Sequence, residues 1–132
     1  MERVTTSTAV VEITGGGIVV CRYMPGAKVT AAGINENIEA RRKLAGSAPH
    51  LAVTVLPSPE DFDMTMLKQD HYAGVPGDDS LQAQAMVAEG AVMFPLAKLY
   101  FAYFPTRFRN EVFASEPEAM AWIRDQQGMF RR

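Results

Sequence analysis

The side chains that most often do chemistry are few in this chain. Its histidines are His50 and His71, and neither has a carboxylate at a spacing typical of metal ligands. Its single cysteine, Cys21, lies between Val20 and Arg22 with no base at a predictable position. We therefore interpret it as a small buried apolar residue rather than a nucleophile. No combination of nucleophile, base and oxyanion donor emerges from these residues, so the sequence predicts a protein that is not an enzyme.

Charged and glycine-rich segments offer weaker alternatives. Acids cluster in Glu60–Asp63, but their spacing matches no loop that binds a divalent ion. Gly15–Gly17 is not followed by the helix that a phosphate cradle requires, and it predicts a hairpin loop instead. Arg107–Arg109 mixes cations with an aromatic ring, as anion and nucleic-acid surfaces do. In this chain it predicts a loop anchored by Phe108. The sequence predicts no metal and no cofactor.

Length and net charge limit the class of protein to which this chain can belong. The chain has 132 residues, of which 48% are hydrophobic, and this length predicts one domain spanning residues 1–132. Thirteen basic and fifteen acidic residues give a net charge of −2, which argues against nucleic acid as a partner. The N-terminus carries no apolar run, and a single cysteine fits a reducing compartment. We expect a cytoplasmic protein.

The first half of the chain predicts two strands, a helix and a third strand. Thr8–Thr14 and Ile18–Tyr23 are β-rich runs on either side of the glycine loop, which is typical of a hairpin. A helix is predicted from Thr30 to Gly46, a natural C-terminal stop. Its charged residues, Arg41 among them, are expected to face water. Leu51–Leu56 then predicts a strand buried on both faces.

The second half continues the alternation of helices and strands. The predicted elements are a short helix Asp63–Tyr72, a strand Ser80–Ala88, an apolar helix Ala91–Phe104, a strand Glu111–Ala114 and a helix Ser115–Gln127. Ser115 and Glu118 have the spacing of a capping box at the start of the last helix. With right-handed crossovers, the order ββαβαβαβα predicts an α/β fold, a single mixed β-sheet with helices packed over it.

The apolar helix carries more hydrophobic surface than packing on a sheet requires. The candidate residues for a subunit interface or an apolar cleft are Phe94, Leu96, Tyr100, Tyr103 and Phe104. A neighbouring helix, a second subunit or a lipophilic ligand would each cover the surplus. We expect Tyr100 and Tyr103 to face outward, and Leu99 and Phe101 to lie in the core. The segment is too short to span a membrane, and Pro95 and Lys98 lie inside it.

Three segments carry a resemblance to a known family. They are Gly26–Thr30 before the first helix, Leu99–Phe104 in the apolar helix, and Val112–Ile123 at the last strand and helix. With these segments the chain resembles the bacterial STAS/SpoIIAA-like proteins, especially a group of small stand-alone members. The resemblance implies a SpoIIAA-like fold. It also implies a choice of roles, because relatives act as phosphorylation-switched anti-sigma antagonists and as regulatory parts of transporters. Others are related to CRAL-TRIO-like lipid-transfer domains.

The resemblance also suggests one candidate modification site. In switching relatives, an Asp-Ser-Ser-Gly-Leu-like motif begins the helix after the central strand, and its second serine is phosphorylated. Asp63 and Leu67 match the ends of that motif here, and Thr65 stands where the phosphoacceptor would be. Met64 and Met66 replace the serine and the glycine. The simpler interpretation is that Asp63 is an N-cap and Thr65 a residue of the first helical turn.

These observations lead to two hypotheses about function. The first is a small non-enzymatic regulatory or protein-interaction module that forms a homodimer and binds a protein partner. The alternative is a carrier or sensor of an apolar small molecule, such as a lipid, in a cleft beside the Ala91–Phe104 helix.

Overall fold

A mixed six-stranded sheet with three helices forms the fold in a computed structural model, which describes residues 2–14, 16–46, 48–57, 80–104, 106 and 108–130. The strands are β1 (Arg3–Thr5), β2 (Ala9–Thr14), β3 (Ile18–Tyr23), β4 (His50–Val55), β5 (Leu81–Val87) and β6 (Arg109–Phe113). The helices are α1 (Ala31–Ala45), α2 (Met93–Tyr103) and α3 (Glu116–Phe130). The coarse α/β prediction is confirmed.

The strands lie in the sheet in the same order as in the chain. The pairs β1–β2 and β2–β3 are antiparallel, while β3, β4, β5 and β6 run parallel. Gly16 and Gly17 turn the β2–β3 hairpin with φ values of 89° and 80°, a region that favours glycine. The sequence pattern does not predict β1, because three residues are too few to display an alternation. The predicted helix Asp63–Tyr72 lies outside the described residues.

The three helices cover both faces of the sheet. Ala40 of α1 packs with Val19 and Cys21, whereas Ala119 of α3 packs with Ile18 and Val20. Because neighbouring strand residues point to opposite faces, α1 and α3 lie on opposite sides. α2 packs against Met86 and Val112, which the strand register places on the α1 side. The core therefore has two layers, one on each side of the sheet.

α1 begins and ends as predicted but is oriented differently. Thr30 accepts a hydrogen bond from the Gly33 N–H at 3.0 Å, and Gly46 ends the helix with a φ of 64°. Arg41 is not on the water face, since only 5% of it is exposed. Asn37 is also buried, where it accepts from the Thr6 hydroxyl at 2.6 Å. The expectation for Arg41 is wrong because the inward face of α1 is partly polar.

α3 is the helix that matches its prediction best. Ser115 accepts a hydrogen bond from the Glu118 N–H at 3.4 Å, and its hydroxyl donates to the Glu118 carboxylate at 2.9 Å. Ala119 and Ile123 are fully buried. Trp122 is partly buried, and its ring centroid lies 5.7 Å from that of Phe113. The capping residues thus form a closed local unit, and the apolar face docks where the pattern indicates.

Candidate functional site

α2 is the element that carries the candidate interface residues. It follows β5 after a turn at Gly90, whose φ is 97°, and Pro95 falls in its first turn, where a missing N–H costs least. The N-cap residue Val92 makes no side-chain capping bond. At the other end the Phe104 N–H donates to the Tyr100 carbonyl at 2.8 Å. Local chain geometry therefore defines the ends of α2, without a side-chain cap at its start.

One side of α2 is anchored in the core. Met93 is 2% exposed and Ala97 is 8% exposed, and both pack against Met86 and Val112. The half-buried rings of Phe94 and Phe101 extend this contact. These residues follow the spacing of an inward helical face. The expectation that Phe101 belongs to the core side is confirmed.

The adjoining side of α2 carries an apolar stripe with no cover among the described residues. Val92 is 56% exposed, Leu99 is 64% exposed and Tyr103 is 76% exposed, with the half-buried Leu96 between them. The intervals of four, three and four residues align these four side chains along the helix, as in the seam of a coiled coil. We call this set the α2 stripe. The expectation that Leu99 lies in the core is wrong, and that for Tyr103 is confirmed.

Aromatic rings stiffen the C-terminal half of α2. The Tyr100 ring centroid lies 5.1 Å from those of Phe101 and Phe104, and the Tyr103 centroid lies 4.9 Å from that of Phe104. Tyr100 and Phe104 are half-buried, so Tyr100 is less outward than expected. Such ring pairs hold the flank of the stripe in a defined shape. The Lys98 ammonium lies 5.2 Å from the centre of the Phe94 ring, away from the stripe.

The remaining residues singled out in the sequence lie away from α2 or outside the described residues. Asp63, Thr65 and His71 lie outside the described residues, so the phosphate switch at Thr65 stays a prediction. His50 is the first residue of β4 and is buried, with Nδ1 3.0 Å from the Ala48 carbonyl oxygen.

A buried polar cluster under α1 is the feature that the sequence missed. Burial raises the pKa of the Cys21 thiol to about 12, against the opposing effect of Arg41, and burial also raises the pKa of Tyr23 to about 12. Neither group ionises near neutral pH, which fits the apolar interpretation of Cys21. Gln84 is 2% exposed and donates to Asn110 at 3.2 Å. A cavity of about 30 Å³, room for about one water molecule, is bordered by Cys21, Tyr23, Arg41 and Gln84.

The described part of the chain shows neither a metal cluster nor a membrane-spanning helix. Between residues 2–57 and 80–130, at the positions that the structure describes, no group of three or more His, Cys, Asp or Glu side chains is placed to hold a metal ion. No described helix combines the length and apolarity needed to cross a membrane.

Comparisons with protein-family models, with curated proteins and with solved structures found no match for this chain. The resemblance to STAS/SpoIIAA-like proteins therefore stays a prediction from the sequence. The candidate site rests on its own geometry, which is the α2 stripe and the core contacts that present it.

Proposed function

We propose that the protein is a small non-enzymatic interaction module of the cytoplasm that binds a protein partner through the α2 stripe. The observation that carries the proposal is the exposure of Val92, Leu99 and Tyr103 on one well-anchored helix. An exposed Leu or Val alone needs no explanation. The side chains of Val92, Leu99 and Tyr103, aligned at coiled-coil intervals, form a surface on which a second helix fits.

The chemistry of the stripe indicates what it binds. The only charged residue within α2 is Lys98, and it lies over the Phe94 ring rather than in the stripe. A partner therefore gains by burying apolar side chains without having to neutralise a charge. Tyr103 at the end of the stripe offers an aromatic ring whose hydroxyl stays hydrated. These features favour the apolar face of an amphipathic helix as the partner.

The proposal includes self-association, as the sequence analysis expected. The stripe covers four residues, which is less than the roughly 800 Å² per partner that a stable interface of standard size buries. A homodimer held by α2 alone would therefore be weak. The role of α2 that we favour is the recognition of another protein, with a second copy on the stripe as one outcome of the test.

The experiment compares two positions on the same helix. Leu99→Lys places a charge in the stripe, whereas Ala102→Lys places the same charge at an exposed position outside it. Tagged wild type and both variants are used to recover binding proteins from the source organism. We expect wild type and Ala102→Lys to retain the same proteins and Leu99→Lys to lose them, because burying an unpaired ammonium is costly. Circular dichroism checks that all three are folded.

Three results would change the proposal. Identical protein sets for wild type and Leu99→Lys would show that the stripe is not the binding surface. A wild-type oligomer that Leu99→Lys alone dissociates would place a second copy on the stripe. Native mass spectrometry that finds a lipid in wild type but not in Leu99→Lys would favour the carrier function.

A further inference from the structure

β1 forms one of the two outer edges of the described sheet. β1 is the first strand in the sheet order and pairs only with β2 among the described strands. The Thr6 N–H donates to Ala9 and the Glu2 carbonyl accepts from Ile13. In an antiparallel ladder alternate residues turn toward the partner, so Val4 also bonds to β2. The N–H and C=O groups of Arg3 and Thr5 then point outward.

A groove runs along this edge between β1 and α1. It has a volume of about 630 Å³, and Val4, Thr6 and Ala40 form its floor. Val4 is half-buried and packs on the core cluster that contains Ala40. Thr6, two residues after Val4, donates to Asn37, three residues before Ala40, so Val4 and Ala40 lie at similar levels along the groove. The wall facing solvent is charged. An added strand would therefore have backbone partners on β1, an apolar contact at Val4 and charges above it.

The charges on the wall are arranged so that the same wall on a second copy of the chain is complementary to them. Glu36 and Glu39 precede Ala40 in α1, and Arg42 and Lys43 follow it. A two-fold axis at the level of Ala40 brings Glu36, whose carboxylate also accepts from the Ser7 N–H of its own chain, opposite Lys43 of the other copy. The same axis brings the Glu39–Arg42 ion pair of one α1, with its atoms 2.9 Å apart, alongside the same pair of the other copy in the opposite order. Acid meets base at each position because the intervals on the two sides of Ala40 are nearly equal.

Backbone pairing between two β1 strands is compatible with the same two-fold axis. With the two-fold axis at Val4, Arg3 of one copy pairs with Thr5 of the other. The outward groups of both residues are then hydrogen-bonded in both directions. The two Val4 residues become a non-hydrogen-bonded pair, in which Cα atoms approach to about 4.5 Å and side chains are closest. On the other face, the ion pair of Arg3 with Glu12 at 3.1 Å holds each guanidinium toward its own sheet.

We infer that two copies of this chain associate through their β1 strands, antiparallel, about a two-fold axis at Val4, so that the two sheets become one. The two α1 helices then lie antiparallel, about three strand spacings or roughly 14 Å apart. Glu and Lys side chains that reach from both helices span this distance. An isologous contact of this kind closes after two copies.

This inference adds a dimer to the proposed function. The role of that dimer rests on the proposed binding of a partner at the α2 stripe. β1 and β6 are at opposite edges of the sheet, and α2 packs against β6. Pairing at β1 therefore leaves both α2 stripes free at the far ends of the dimer. The dimer contact and the partner surface are then different parts of the molecule. A bivalent module binds a partner that has two sites more tightly than a monomer does.

A cross-linking experiment locates the dimer contact. Val4→Cys places two thiols at the proposed axis, within the Cα separation that a disulfide allows. The native Cys21 is buried and does not compete. Under mild oxidation we expect Val4→Cys to form a covalent dimer about tenfold faster than Leu99→Cys, since only the former is held at disulfide geometry. Equal rates, or a faster rate for Leu99→Cys, would overturn the inference.

Charge reversal tests the α1 contact. Lys43→Glu sets two like charges opposite each other on each side of the axis, and we expect it to weaken dimerisation about tenfold by sedimentation velocity. Glu36→Lys together with Lys43→Glu exchanges the charges and should restore dimerisation to within about threefold of wild type. A double variant as weak as the single one, while folded by circular dichroism, would overturn the inference.

Wild type supplies the remaining test. We expect its dimer to form between about 1 µM and about 1 mM, as befits a small contact. A wild type that remains monomeric throughout that range would overturn the inference. That result would leave the binding of partners to the α2 stripe untouched, because Leu99→Lys tests that surface separately. Conversely, loss of the α2 proposal would not affect cross-linking at Val4.

Discussion

α2 and α3 are both helices that follow a parallel strand, but they relate to the core differently. α3 lies over β4, β5 and β6, and its Ala119 and Ile123 are fully buried. In α2 only Met93 and Ala97 are buried, and Leu99 is largely exposed. The more hydrophobic helix is therefore the less buried one. The apolar content of a helix measures how much surface must be covered, and not whether the same chain covers it.

The two helices also differ in how they are fixed at their ends. α3 has a serine cap at Ser115, and Glu116 in its first turn binds Arg22 of β3. α2 has no side-chain cap at Val92. Capping and ion pairing therefore add to packing in α3. We interpret α3 as an element that stabilises the fold and α2 as one that presents a surface.

The largest difference is expected from removing an aliphatic side chain from each helix. Ile123→Ala leaves a cavity in a fully buried site and should lower the free energy of unfolding by about 2–5 kcal/mol. Leu99→Ala removes a mostly exposed side chain and should change it by less than about 0.5 kcal/mol. Urea denaturation of the two variants measures both values. Similar losses would show that Leu99 is covered within the folded monomer.

Truncating one aromatic side chain in each helix extends the same comparison. Trp122→Ala removes a ring that is only partly buried against Phe113, so we expect a loss of about 2 kcal/mol, below the usual range for a buried aromatic residue. Tyr103→Ala, on a side chain that is 76% exposed, should cost little. Thermal unfolding followed by circular dichroism compares the variants without relying on tryptophan fluorescence. A Trp122→Ala melting temperature equal to that of wild type would mean that α3 does not depend on this contact.

Sequence reasoning succeeded where two independent signals agreed. The last helix has a cap and an apolar face, and together they define its start and its orientation. Thr30 and Gly46 likewise mark the ends of α1. Alternation in residues 81–87 correctly separates Ala83 and Ala85 from Gln84 and Met86, although both faces are buried. Patterns of this kind are local, so they survive folding unchanged.

Sequence reasoning failed where tertiary contacts decide which side chains of a helix are buried. Apolar residues surround α2, so the pattern has no polar side from which to orient the helix, and Leu99 was assigned to the wrong face. Arg41 looks like a surface residue in any local window, yet it is buried and lines the same small cavity as Gln84 of the sheet. The sequence assigns the candidate site to α2, and the structure adds the position of the exposed stripe, because Met93 and Ala97 mark the buried side of the helix.

The cap of α3 gives a smaller and local effect. Ser115→Ala removes the acceptor of the Glu118 N–H and should cost about 1 kcal/mol, because that donor loses its partner at the helix start. Val92→Ala at the equivalent position of α2 removes no capping bond and should cost less. Urea denaturation of both variants measures the difference. If Val92→Ala costs as much as Ser115→Ala, the side chain of Val92 contributes to stability through a contact that capping does not explain.

The smallest effect comes from the ion pair between α3 and β3. Glu116 binds Arg22 at 2.7 Å and 3.2 Å, and this hydrogen-bonded contact lowers the pKa of the Glu116 carboxyl. A carboxyl whose pKa is lower in the folded state stabilises the protein above its unfolded pKa, near 4.3 for glutamate. That stabilisation is lost as the pH falls through the lower, folded pKa. Both side chains are partly exposed, so we expect only a few tenths of a kcal/mol.

The pH dependence distinguishes this ion pair from simple loss of a surface charge. Glu116→Gln should unfold at a lower temperature than wild type at pH 7, and the gap should close as the pH is lowered through the acidic range. Glu111→Gln, on an exposed residue of β6 for which the described residues record no ion pair, is the control and should show a smaller gap at pH 7. If the gap for Glu116→Gln stayed constant down to pH 2, the carboxylate charge would not be its cause. Tethering by Arg22 would then not be part of what separates α3 from α2.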